Sequence, residues 1–251
     1  MADTVWDLSW LPLAVVIVTM LVGGFVRGFG GFGASMVWVI GMSTVLPPAS
    51  AIPTALILEV LASLQLLPRA WREAHWASLK WLMLGVLVGL PVGTWVLISV
   101  PERPMRLVIG VVVLATTLVM ASGRHRENLP GAAGATGTGV VSGVLNGALA
   151  MGGPPAIIMY FSSPRHAAMG RASLIVFFLF TDVLGTGSAA VGGLVTPALL
   201  GQSAVLFPVS LIGVGLGALW YRRTGAEDFH GYVLWLLAGL SGLILAQTIL
   251  A

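Results

Sequence analysis

Among the polar side chains inside otherwise apolar runs of this 251-residue chain are Arg27, Glu59, Gln65, Asn146 and Asp182. Each costs a few kcal/mol in hydrocarbon, so each marks a place where a partner or a ligand is expected. Arg27 directly precedes Gly28-Phe29-Gly30-Gly31-Phe32-Gly33-Ala34, and Asn146 opens the approach to Gly152-Gly153-Pro154-Pro155. A guanidinium at that position could neutralise an anion or grip it bidentately, or it could form a structural pair with Glu59 or Asp182. Asn146 can both donate and accept a hydrogen bond. Glu59 and Asp182 are the only acids within apolar spans, which makes them candidates for a titrating coupling group. A helix-packing hydrogen bond is the alternative reading for both. Arg165, His166 and Arg171 follow the second glycine run, either as plain topology signals or as a mouth that attracts anions.

The glycines carry the second half of the chemistry. Gly28-x-Gly30-x-x-Gly33 fits the dinucleotide fingerprint, but it interrupts an apolar run instead of joining a strand to a helix, so no nucleotide cofactor is expected. Glycines let a backbone approach a ligand closely, and a helix starting just after them aims free N–H groups and its positive dipole end at that ligand. Pro154-Pro155 suits a first helical turn. The expected substrate site is therefore Arg27, Gly30, Gly31, Phe32, Gly33 and Ala34 from the first run, with Asn146, Gly152, Gly153, Pro154 and Pro155 from the second. Glu59, Gln65, Asp182 and Arg171 are the expected coupling or gating groups. Tight helix packing is the competing explanation for such glycines, and it is the preferred one for Gly85-x-x-x-Gly89-x-x-x-Gly93, Gly139-x-x-x-Gly143-x-x-x-Gly147 and Gly213-x-x-x-Gly217. An enzyme is not expected. The chain has no Cys, its four histidines are far apart, and neither His-Glu-x-x-His nor Gly-x-Ser-x-Gly occurs, so no metal site or nucleophile is visible.

The elements that must hold these groups are membrane helices. Hydrophobic residues make up 57% and charged residues 8%, against roughly 25% charged in a soluble domain. Such a chain cannot cover itself with a polar surface, which excludes a cytosolic enzyme, a nucleic-acid binder and a disordered segment. The net charge of +3 comes from single or paired arginines between apolar runs, not from a phosphate-binding face. The acidic start, Asp3 and Asp7, does not read as a signal peptide. Six segments are long enough to span, at 51–67, 78–99, 104–122, 168–187, 203–221 and 230–250. Two more, 12–46 and 134–162, are broken by the glycine runs. A broken helix frees backbone groups that lipid cannot satisfy, so the breaks belong inside protein or beside a wet cavity; a kinked continuous helix is the alternative.

The two breaks repeat. Gly30-Gly31-x-x-Ala34 matches Gly152-Gly153-x-x-Ala156 at a spacing of 122, and Gly89/Gly93 match Gly213/Gly217 at 124. At a spacing of 117, Gln65 falls on Asp182. The expected organisation is a first membrane repeat over 1–123, a connecting loop over 124–133 and a second repeat over 134–251. If each broken stretch crossed once, the loops would carry five basic residues on one side and six on the other. If each dips in and returns, nine share one side against two (Arg103 and Arg106), which the positive-inside rule favours. Each repeat is then a glycine-broken hairpin plus three spans, the halves are inverted, and both termini face outward.

The Gly-Phe-Gly-Gly-Phe-Gly-Ala break, its partner from Asn146-Gly147 to Gly152-Gly153-Pro154-Pro155, and the two-repeat hydropathy together resemble the TauE/SafE sulfite exporter family over essentially the whole chain. The resemblance implies an all-α carrier of the bacterial inner membrane that moves sulfite, sulfoacetate or other organosulfonates, usually outward. The partners expected are this small anion, the lipid bilayer and a second copy of the chain, with no nucleic acid and no cofactor. Alternating access about the two glycine loops is the expected mechanism. An anion channel or a carrier for a non-sulfur carboxylate is the other reading.

Overall fold

The computed structural model describes residues 4–30, 32–121, 129–161 and 167–224, together with the single positions 239, 242 and 246. After a short 3-10 turn at Val5–Asp7, the described residues form nine α-helices and no strand: α1 (Trp10–Gly30), α2 (Ala34–Met42), α3 (Pro48–Glu73), α4 (Trp76–Ser99), α5 (Glu102–Ala121), α6 (Ala132–Leu149), α7 (Gly153–Phe161), α8 (Ala167–Val191) and α9 (Pro197–Thr224). Five of the six expected spans fall on helices, α3, α4, α5, α8 and α9, of which α4, α8 and α9 are long and apolar enough to cross a bilayer; the segment 230–250 lies outside the described residues. Four helices, α1, α4, α8 and α9, are long and apolar enough to cross a bilayer.

Both glycine-broken stretches are a long helix followed by a nine-residue one. In the first, Gly33 adopts φ 89°, a left-handed conformation that suits a residue without Cβ, and α2 starts at the next residue. Trp38 Nε1 donates to the Met20 carbonyl at 3.2 Å, and Gly41 abuts Thr19, so α2 runs back along α1. In the second, α6 ends at Ala150 with φ 54°. Ala150 N–H donates to Asn146 O at 2.8 Å and Met151 N–H to Leu145 O at 3.2 Å, which closes the helix as a Schellman-type cap does.

The tightest packing follows the small-residue seams. On α4, Gly85, Gly89 and Gly93 lie against the carbonyls of Thr136, Val140 and Val144, and on α6 Gly139 and Gly147 lie against those of Leu82 and Leu90. On α9, Gly213 and Gly217 meet the carbonyls of Leu21 and Phe25, while Gly24 and Gly28 of α1 meet those of Ser210 and Val214. A Cβ at any of these positions would overlap backbone, so the seams are packing surfaces, as expected. Gly28, the first letter of the fingerprint, serves the α1–α9 contact. In both pairs the contacting numbers rise together, so α4 runs parallel to α6 and α1 parallel to α9.

The two seams also correspond to each other. Adding 119 to each α1 residue and subtracting 124 from its α9 partner maps one seam onto the other: Leu21–Gly213 corresponds to Val140–Gly89, and Gly28–Val214 to Gly147–Leu90. The 124 spacing of the glycine pairs is the spacing that the contacts use. The 122 spacing of the breaks is not. Helix α1 ends at Gly30 and α6 at Leu149, α2 starts at Ala34 and α7 at Gly153, so the breaks superpose at 119. The three-residue difference is close to one helical turn, the error a glycine-rich run invites because its residues are interchangeable by eye.

Candidate functional site

The first break is wired by charge. Arg27, in the last turn of α1, forms an ion pair through Nη1 with Glu59 Oε2 in the middle of α3, and both side chains are buried. Arg27 Nη2 donates to Ser63 Oγ at 2.7 Å, one turn further along α3. The other Glu59 oxygen, Oε1, accepts the Ser35 N–H at 2.9 Å. That amide belongs to the first turn of α2, where N–H groups have no intrahelical acceptor and the helix dipole favours negative charge. Glu59 is one of the two partners that the sequence offered Arg27. Arg27 Nε remains buried with no hydrogen-bond partner.

The second break is wired by a neutral amide. Asn146 Nδ2 donates to Asp182 Oδ1 of α8 at 3.1 Å, and Gly152 N–H donates to Asn146 Oδ1 at 3.2 Å. A side chain at Gly152 would press on the Ser142 carbonyl at 2.8 Å and Asn146 Cβ at 2.9 Å, so the turn requires glycine there. Asp182 Oδ2 is buried without a hydrogen-bond partner, and the carboxylate lies within electrostatic range of both Glu59 and Arg27. The break-level offset pairs Arg27 with Asn146. Asp182 and Glu59 are the acids held at the two breaks; the side chain of Gln65, expected to correspond to Asp182, lies outside the described residues.

Both breaks open on one cavity. Arg27, Gly33, Ser35, Met36 and Glu59 line it from the first half, and Met151, Gly153, Pro154, Ile157 and Phe178 from the second. It leaves room for about one water molecule. Ala34 and Gly152 are buried at its margins and Pro155 is partly buried beside Pro154. Phe32 packs into the apolar cluster under α7 and α8. Gly30 ends α1, and Gly31 lies outside the described residues. Arg171 is not brought to the cavity: it sits eleven residues before Asp182 on α8, about 16 Å along the helix axis. Met36, Met151, Ile157, Phe178 and Ser35 were not singled out by type, since nothing distinguishes an apolar cavity wall from core in a sequence this greasy.

The two half-helix ends differ as backbone donors, because Pro154 and Pro155 carry no N–H. The first turn of α7 therefore offers Gly153 N–H, while that of α2 offers Ala34, Ser35 and Met36. The residue equivalent to Ser35 at the 119 offset is Pro154.

The polar tie nearest the basic end lies between α4, α7 and α8. Ser78 Oγ and Tyr160 OH are 2.9 Å apart, His75 Nδ1 and Ser78 Oγ 2.8 Å, and His75 N–H donates to Ser173 Oγ at 2.9 Å. Trp71, Trp76 and Trp81 are exposed at this end, with Trp71 and Trp76 edge to face at 4.5 Å, as interfacial aromatics stand.

Residues 15–244 match the family described as Sulfite exporter TauE/SafE. A curated relative, the probable sulfite/organosulfonate exporter TauE of Cupriavidus necator, is 28% identical over 214 residues, which cover 82% of this chain and 83% of the relative. No solved structure matches.

Proposed function

The chain belongs to the TauE/SafE sulfite exporter family and is a multi-pass membrane protein, and from that premise we propose that it exports a small sulfur-containing anion, sulfite or an organosulfonate, across the bacterial inner membrane by alternating access. The observation that carries the reading is the shared cavity, buried among apolar helices, where a guanidinium and a half-helix N-terminus face the same space. An oxyanion bound there would take the amides of Ala34 to Met36 and the Arg27 fork, each a charge-assisted donor in a low-dielectric site. Phe178, Ile157, Met151 and Pro154 would face its other side.

Alternating access is supported by the tightness of the cavity and by the symmetry of the packing. With room for about one water, the walls must part before a sulfonate enters. The parallel register of α1 with α9 and of α4 with α6 is what inverted halves joined by an odd number of spans would produce. The nine basic residues at the α3–α4 junction (Arg69, Arg72, Lys80), early in α8 (Arg171), at the end of α9 (Arg222, Arg223) and outside the described residues (Arg124, Arg126, Arg165) then mark the cytoplasmic side, with both termini outside.

The test is flux in proteoliposomes. Methanesulfonate efflux should saturate with concentration and should be accelerated by unlabelled sulfonate on the far side. Flux that rises linearly without counterflow would make the protein a channel, and counterflow with acetate but no sulfonate would make it a carboxylate carrier.

A further inference from the structure

Glu59 occupies the place that an anionic guest would take. Its two oxygens are held by the two strongest anion-binding elements on the cavity, the α2 amide of Ser35 at 2.9 Å and the Arg27 guanidinium. A carboxylate in that position blocks the site against any other anion while leaving Arg27 neutralised. Arg27 Nε is buried and has no hydrogen-bond acceptor among the described residues. Both residues line the same small cavity.

Resting on the anion-transport reading above, we infer that Glu59 is a resident surrogate for the substrate headgroup, displaced when substrate arrives and protonated as it leaves, so that each anion enters together with one proton. The charge balance is direct. Before binding, Arg27 carries one positive charge and Glu59 one negative. The incoming anion takes the Arg27 contact and the α2 amides, which leaves a buried carboxylate without its cation. An unpaired charge there is far costlier than a neutral carboxylic acid, so a proton joins a Glu59 oxygen. The net charge of the pair is then unchanged by binding, one anion and one proton having entered.

The groups around Glu59 offer it no second cation. Facing it are Arg27 from α1 and Asp182, a second acidic side chain, from α8. Helix α2 carries no titratable side chain, and α9 carries its arginines, Arg222 and Arg223, only in its last turn. On α5, Arg106 is bound to Glu102 Oε1 at 2.7 Å and to the Leu46 carbonyl at 3.2 Å, near the opposite end of α3 from Arg72. On α4, His75 and Lys80 lie in or before the first turns, where His75 is tied to Ser78. None of these offers the displaced carboxylate a new cation.

Calorimetry on the purified full-length protein tests this, with methanesulfonate as the probe because it stays a monoanion across the neutral range. Binding should take up close to one proton per anion, read from titrations in buffers of different ionisation enthalpy. Because each bound anion takes up a proton, affinity should weaken as the pH is raised. Glu59→Gln should bind with no proton uptake and no pH slope, and Asp182→Asn should keep both. Wild-type binding that takes up no proton and is flat with pH overturns the inference while leaving anion transport standing. Should Glu59→Gln not fold, the wild-type proton count still decides, and loss of uptake in Asp182→Asn would move the role away from Glu59. Absence of binding by methanesulfonate, sulfite and acetate at every pH sinks the transport reading itself.

Discussion

The two helix breaks share a scaffold and differ in chemistry. At the 119 offset, Arg27 answers to Asn146, Ser35 to Pro154 and Gly33 to Gly152. The first break holds an ion pair and three helix-start amides; the second holds a neutral amide, and two of its first three helical positions are prolines. The left-handed residue also changes ends, from Gly33 just before α2 to Ala150 just after α6. Backbone geometry has been kept where two half-helices must end inside the protein, while charge has been concentrated on one side. The cavity therefore has one charged wall and one dry wall; under the proposed function that would give an anion a single docking edge.

The largest effect should come from removing the charge of the first break. Arg27→Ala leaves Glu59 buried without its cation, and such losses cost about 3–5 kcal/mol. Asn146→Ala leaves Asp182 and the Gly152 N–H short of one partner each, which costs about 1–3 kcal/mol. Thermal melts in detergent should therefore rank Arg27→Ala well below Asn146→Ala, and equal losses would mean that the two breaks are energetically alike. A middle-sized effect is expected from making them chemically alike. Pro154→Ala restores the amide that corresponds to Ser35 N–H, and a hydrogen bond to a charged group is worth about 1.5–3 kcal/mol. Methanesulfonate should bind the variant about tenfold more tightly, as calorimetry would read, and turnover in vesicles should slow as release becomes limiting. The smallest effect separates the backbones. Ala150→Gly relieves a left-handed alanine and should stabilise by up to about 1 kcal/mol, whereas Gly33→Ala should destabilise by about 1–2 kcal/mol. Melting temperatures moving in opposite directions would confirm that the strained residue has swapped ends.

Much of this architecture is legible in the sequence because lipid leaves few options. Spans, glycine breaks and packing seams follow from hydropathy and from small residues at four-residue spacing, and α3, α4, α5, α8 and α9 fall where expected. The 124 spacing of the seams is readable because each glycine there is fixed by a carbonyl across the interface. The breaks are harder. A run such as Gly28 to Gly33 can be laid on its partner at several offsets, and only the ends of α1 and α6 choose among them. The choice of Glu59 as the partner of Arg27 depends on α2 folding back to bring Ser35 beside α3, a long-range event that no local pattern encodes. The apolar wall of the cavity was silent for a related reason: Phe178 and Ile157 look like any other core residue until a turn elsewhere stops short of them.

The crossed seams have a consequence for what can move. Neither half of the chain keeps its closest neighbour to itself: α4 clasps α6, and α9 clasps α1, each across the middle of the sequence. The packing units are thus hybrids, each stitched from both halves of the sequence. A cut between Ala121 and Gly131 would sever the covalent thread yet leave both clasps closed, because the closest helix contacts of the described residues join the two halves through their glycines.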